Sequence, residues 1–296
     1  MYMRFCPSCG KENACNGKFC CFCGRNLEEQ YGGNNGVHIE NADERFQIWN
    51  GCLQRYVGKD KTVVLPANVE TIDVHAFLNC STMERLIIPD TVRSFRYAEP
   101  FDGSEPLRSV FIGCTNLKYV EFGGGMKVLD CMVIDARNIE TIVVREGVEE
   151  LAKRCFLGAG KMTSISLPST LKKIGDHSFG NCESLKDIII PDGVLEIGSW
   201  AFVNSFGLEN VYMGNSVRKI GQSAFEGCRQ MREFRFPNTD FLLEDYGRRL
   251  FMDCISLRKI YYPARMKDSV LLAFSYSDLH RDFSGKGEGG VALIEY

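Results

Sequence analysis

Phe179, Phe202 and Phe225 are 23 residues apart, and each opens the same phrase. Its clearest copy is Phe179-x-x-Cys182-x-x-Leu185-x-x-Ile188-x-Ile190-Pro191. A recurrence of fixed length is the signature of stacked structural units, each too small to bury its own apolar face and each covered by its neighbours. The period therefore predicts an elongated solenoid before any other feature is considered.

Alignment of the copies gives eight repeats across residues 66–262. One column holds Phe77, Phe111, Val133, Phe156, Phe179, Phe202, Phe225 and Phe251. Three residues on comes a column of small side chains, Cys80, Cys114, Ala136, Ala159, Cys182, Ser205, Cys228 and Cys254. The phrase closes on two apolar columns spaced by two, the period of a β-strand, and a Pro or Gly usually follows. Stacked copies predict a parallel sheet with strands about 4.8 Å apart. An edge such as Val217-Arg218-Lys219-Ile220-Gly221 and a helical turn around Ala224-Phe225 are expected to close each coil.

Seven of the chain's 14 cysteines lie in this region, and Cys52 just before it. Because Ala, Ser and Cys share one column, the slot calls for a small inward-facing side chain rather than a metal ligand or nucleophile. Cys80 with Cys114, and Cys228 with Cys254, fall on adjacent coils and approach disulfide range on spacing alone. A reducing compartment argues against such bonds.

The other six cysteines precede residue 24, where two Phe-Cys-x-x-Cys-Gly units, Phe5–Gly10 and Phe19–Gly24, are 14 residues apart. Two such turns facing each other supply four thiolates in a tetrahedron, about 2.3 Å from a zinc ion. The expected ligands are Cys6, Cys9, Cys20 and Cys23, with Cys15 and Cys21 surplus and Cys21 the rival ligand. Four thiolates leave no open position for a reacting water, so one structural Zn²⁺ is expected. The segment resembles the short zinc ribbon found at the start of many bacterial proteins. Residues 1–27 are read as this ribbon and 28–43, with Gly32-Gly33-Asn34-Asn35-Gly36, as a flexible linker holding a solvated His38.

The register Ile-Gly-x-x-Ala-Phe-x-x-Cys-x-x-Leu-x-x-Ile-x-Ile-Pro closely resembles the BspA-type leucine-rich repeat. That resemblance implies a leucine-rich-repeat domain over 44–296. Residues 44–65, with Phe46–Leu53, Tyr56 and Val63–Pro66, look like that family's N-terminal hairpin. Residues 263–296 form a C-terminal cap, with a helical stretch near Val270–Phe274 and a strand near Val291–Tyr296. The family implies recognition of proteins or surfaces, and many members are secreted or displayed on cells. Two insertions interrupt the register, about 11 residues near 96–108 and three near 243–247.

Formal net charge is -3, which favours neither a polyanion ligand nor a solvating acidic tail. No apolar run approaches the roughly 18 residues of a membrane span, and the first residues lack a leader's apolar stretch. The protein is read as cytoplasmic, which makes the Asn79-Cys80-Ser81 sequon a chance match. The four histidines, His38, His75, His177 and His280, are scattered, and no nucleophile-base set or phosphate loop appears, so no enzymatic activity is expected.

The outward strand columns offer the candidate surface for a protein partner. Tyr212, Arg235 and Tyr261 stack in consecutive repeats, with Tyr119 further along the same sheet, and Tyr and Arg are the side chains that carry most energy at interfaces. The leading function is a non-enzymatic interaction scaffold. The alternatives are a nucleic-acid-associated protein whose ribbon contacts DNA or RNA, and a cell-surface adhesin-like binding protein.

Overall fold

The computed structural model describes residues 43–97, 109–131, 133, 136–243, 249–275 and 291–296, with the backbone of 4–5 and 12–13. From residue 62 onward the chain winds into coils, each laying down two strands on opposite sides of one continuous core.

The first side carries the strands expected from the two-residue period: Thr62–Val64, Arg85–Ile87, Tyr119–Phe122, Thr141–Val144 and Ser164–Ser166 form one parallel sheet. Asp187–Ile190 pairs with Asn210–Met213, and Glu233–Arg235 with Lys259–Tyr262. We call this the front face. Its hydrogen-bonded ladder is interrupted twice, between 164–166 and 187–190 and between 210–213 and 233–235.

The second side was expected only as an edge. It is a parallel sheet of its own, with two-residue strands at Val128–Leu129, Glu150–Leu151, Lys173–Ile174, Glu196–Ile197, Lys219–Ile220 and Leu242–Leu243. This back sheet runs unbroken past both front interruptions. Its own gap, between Ser94–Arg96 and Val128–Leu129, falls where the front sheet is continuous. The longer insertion is at that gap, and its residues 98–108 lie outside those described.

Tight approach explains the glycine after each back-sheet isoleucine. A Cβ on Gly221 would lie 2.3 Å from the Ser199 nitrogen, and one on Gly198 would lie 2.6 Å from the Asp176 nitrogen. Only a residue without a side chain lets neighbouring coils close to that spacing.

The expected helical turn at Ala224-Phe225 is not helical. A left-handed residue follows each core Phe by two positions, Asn79, Asn181, Asn204 and Asp253, or Gly113, Gly158 and Gly227, and from Phe156 onward another precedes it by two, Arg154, His177, Trp200, Ser223 and Arg249. Residues of positive φ forbid a right-handed helical run. The N–H groups are spent between coils instead. The amides of Arg154, Phe156 and Gly158 donate to the carbonyls of Asp176, Ser178 and Gly180, each at 2.8 Å, and the next coil repeats the scheme. Among the described residues, helix is confined to a 3-10 turn at Ala264–Met266 and an α-helix at Lys267–Ser275 after the last coil.

The core is a column of rings. Phe179 and Phe202 stack at 5.0 Å with planes 2° apart, and Phe202 and Phe225 at 5.2 Å and 3°. These centroid distances follow from the strand spacing, which sets the rise between coils. Where Val133 replaces the ring, Phe122 packs against Phe156 at 6.3 Å and fills the space.

The small column faces inward as expected, and it also bonds. The thiols of Cys114, Cys182, Cys228 and Cys254 each donate to the backbone carbonyl of the preceding coil's Phe, at 3.1–3.4 Å, and the Ser205 hydroxyl does so to Phe179 at 2.7 Å. That geometry holds them as single thiols. Neither Cys80/Cys114 nor Cys228/Cys254 is bridged. The two sulfurs in mutual contact are Cys131 and Cys155, 3.9 Å apart on the back side.

Both ends are covered. Phe46–Trp49 pairs antiparallel with Cys52–Tyr56 through a turn at Asn50-Gly51, whose φ values of 46° and 67° are those of a type I′ hairpin. Cys52–Leu53 then extends the sheet of Thr71–Asp73 and Ser94–Arg96. At the far end Ala292–Glu295 adds a parallel strand to Lys259–Tyr262.

Candidate functional site

Outward side chains on the front sheet form rows that run from coil to coil, because parallel strands pair in register. One row reads Ile189, Tyr212, Arg235, Tyr261 and Ile294: Ile189 pairs with Tyr212, Arg235 with Tyr261, and Tyr261 with Ile294. Ile189 is 71% exposed and Tyr212 58%. Such exposure of large apolar groups on neighbouring strands marks a contiguous patch rather than scattered surface.

The Arg235 guanidinium carbon lies over two rings, 4.3 Å from the centre of Tyr261 and 4.9 Å from that of Tyr296. Tyr296, beyond the last repeat, is placed there by the added strand, and its hydroxyl donates to the Phe236 carbonyl at 2.5 Å. Burial raises its phenol above the usual range. Beside this cluster, Lys259 bonds Glu233 at 2.7 Å and holds its carboxyl below the ordinary value.

Between Tyr212 and Arg235 runs the second front interruption, a groove of about 750 Å³. Met213 lines it and is only partly buried. Ile165 and Leu167, next to the first interruption, are likewise partly buried. Where the ladder opens, inward-facing side chains come within reach of solvent. Met is well suited to such a place, as its flexible thioether adapts to different shapes.

The structure thus brings Tyr212, Arg235 and Tyr261 to one groove and keeps Tyr119 apart. Four strand-to-strand steps separate Tyr119 from Tyr212, roughly 19 Å at the usual spacing. Tyr119 is engaged locally: its hydroxyl bonds Glu121 at 2.7 Å, and Arg85 lies 3.5 Å over its ring. Glu121, buried, is held in turn by Arg145. Sequence reasoning missed Tyr296 and the groove itself. A row continued through a C-terminal strand was the available signal for the former; the groove leaves none.

A polar cluster near the first coils is centred on Asp73 and leaves the buried Gln54 Nε2 and His75 Nδ1 without a hydrogen-bond partner. Buried Asp73 accepts from Arg96 at 2.9 Å and from the His75 amide at 3.0 Å, and Arg96 also bonds Gln54 at 2.8 Å. Among the described residues, no group of three or more His, Cys, Asp or Glu is arranged to hold a metal ion. The expected zinc ligands Cys6, Cys9, Cys20 and Cys23 lie outside the described residues. Arg4–Phe5 and Glu12–Asn13, which bracket the first Cys-x-x-Cys in sequence, pair antiparallel. No helix among the described residues is long and apolar enough to cross a membrane.

Two strands per coil around a ring-stacked core, with a row of exposed side chains on one face, define a parallel-sheet repeat protein. Residues 48–159 and 149–280 match the BspA type leucine rich repeat region in six copies, and the chain belongs to that family. Among solved structures, a leucine rich repeat protein from T. pallidum is similar at 26% identity and a TM-score of 0.47, over 81% of this chain and 91% of its own. A leucine-rich repeat protein from Eubacterium ventriosum is similar at 22% identity and TM-score 0.40, over 52% and 46%. A leucine rich cell surface protein from Faecalibacterium prausnitzii is similar at 16% and 0.36, over 86% and 94%. A search of curated proteins found no match.

Proposed function

We propose that this protein is a non-enzymatic scaffold whose front sheet docks a protein partner, with a small zinc-holding module carried ahead of the repeats. One observation carries the docking reading: the row Ile189–Tyr212–Arg235–Tyr261, with Tyr296 beside its end, borders an open groove, and two of its apolar members are more than half exposed. Tyr and Arg anchors beside an adaptable Met are what a protein interface is built from. The paired Cys-x-x-Cys turns supply a donor set that fits a structural zinc: four soft thiolates. Eight buried cysteines without disulfides support a reducing, cytoplasmic setting.

The test is affinity capture from lysate with the full chain, beside its Tyr212→Ala and Tyr261→Ala variants. Loss of a specific captured protein in both variants supports the reading. Capture that neither substitution alters removes the groove as the docking site.

A further inference from the structure

The charges around the groove are unequally committed. Asp187 accepts from the Asn210 side chain at 2.6 Å, and Asp192 from the Asn215 amide at 2.9 Å. Glu233 is held by Lys259, and Asp240 by Arg265 at 2.6 Å. Each acid near the groove has a partner within the chain. Arg235 differs: it makes no ion pair among the described residues, its guanidinium lies over the rings of Tyr261 and Tyr296, and the one carboxylate that feels its charge, Glu233 on the same strand, is already bonded to Lys259.

That placement has a chemical consequence. Rings over a guanidinium engage its faces and leave the N–H groups in its plane, the fork that grips a carboxylate by two parallel bonds. The rings also displace water from the cation, which lowers the cost of pairing it. From these observations, and resting on the docking reading above, we infer that the partner presents an extended acidic segment whose carboxylate is received by Arg235. Further along the same row, Tyr212 and Ile189 are the apolar neighbours. Ile189 is two strands from Arg235, roughly 10 Å, which an extended chain spans in about three residues. The segment recognised therefore carries an apolar side chain about three positions from its Asp or Glu.

The experiment uses the full-length protein and capped synthetic peptides with a central Glu and a Leu or Phe three positions away, beside the same peptides with Gln at the centre. Binding is followed by fluorescence polarisation at low and high salt. The Glu peptides are expected to bind about tenfold more tightly, the effect of one charge-assisted pair, with the advantage shrinking as salt rises. Arg235→Gln abolishes that preference, Arg235→Lys retains part of it, and Tyr212→Ala weakens both peptides alike. The circular dichroism spectrum of each variant checks that the fold is kept. Equal binding of Glu and Gln peptides, or binding of neither, overturns the inference. If the two bind equally and Tyr212→Ala still weakens both, the carboxylate rule fails while the docking surface stands. If neither Tyr212→Ala nor Arg235→Gln changes any peptide's binding, the surface fails as well.

Discussion

The thiol of Cys254 donates to the backbone carbonyl of Phe225 across 3.1 Å, tying one coil to the coil before it. Cys182 does the same to Phe156 at 3.4 Å. At the corresponding site, Ser205 shows that a hydroxyl can replace the thiol. The slot therefore requires small size, as Ala136 and Ala159 show, and where a donor is present it adds a bond between coils.

Cys182→Ser is accordingly expected to stay within about 1 kcal/mol of the wild type, and Cys182→Ala to lose about that much, one hydrogen bond. Cys182→Val, which adds bulk without a donor, costs about 1–3 kcal/mol through overpacking. Urea denaturation midpoints rank the three, and a Val variant as stable as the Ser variant would refute the donor role.

Burial sets the acidity of these thiols. It pushes Cys80 up to about 11, and Cys114 and Cys254 up to about 12. Folding thus favours the protonated thiol. Below the ordinary value of 9.0 both states are protonated and the contribution is complete. As pH rises from there towards 12, the unfolded chain loses protons that the folded one retains, and stability falls. Denaturation midpoints should drop between pH 8 and pH 10, and native repeat cysteines should resist alkylation at pH 8 while the same thiols react in the urea-unfolded chain. Rapid labelling of Cys114 or Cys254 in the folded protein would contradict the packing.

Ring stacking predicts a sharp difference between inside and outside. Phe202 lies between two near-parallel rings, and Phe202→Ala is expected to cost about 3–5 kcal/mol. Tyr212→Ala, on the exposed row, should stay within about 0.5 kcal/mol. Thermal denaturation of both variants checks the contrast.

Gly221 and Gly160 test the spacing between coils. Gly221→Ala forces a Cβ against the Ser199 backbone and should cost about 2 kcal/mol. Gly160→Ala meets nothing nearer than 3.9 Å and should be close to neutral. Equal effects would show that neighbouring coils are not held at this distance.

Metal analysis of the purified chain should return about one zinc, and Cys9→Ser should release it. The repeats bury their own core, so the variant is expected to keep the thermal transition of the 44–296 region. A protein free of zinc after purification without chelators would dismiss the paired Cys-x-x-Cys reading.

The front strands were legible because two constraints coincide there: alternation along each strand and recurrence every 23 residues. The back sheet was not, since a two-residue strand such as Lys219–Ile220 leaves little more than one apolar residue and a glycine as its trace. Left-handed turn positions show the same divide. The set after each Phe is Asn, Gly or Asp, whose chemistry announces the conformation. The set before it includes Arg154, His177 and Trp200, which share no chemistry, and there the hydrogen bonds to the next coil impose the backbone. At the candidate site, Tyr212, Arg235 and Tyr261 were readable as a row. Tyr296 was not, because its place depends on a strand added after the repeats end.

The two interruptions of the front ladder face an unbroken back sheet. A plate slit on one side and continuous on the other flexes like a leaf spring. Bending about the back sheet widens or narrows the slit beside Tyr212 and Arg235 without breaking a back-sheet bond. The spacing of those two side chains thus depends on packing alone, with no strand-pairing bond across the slit to fix it.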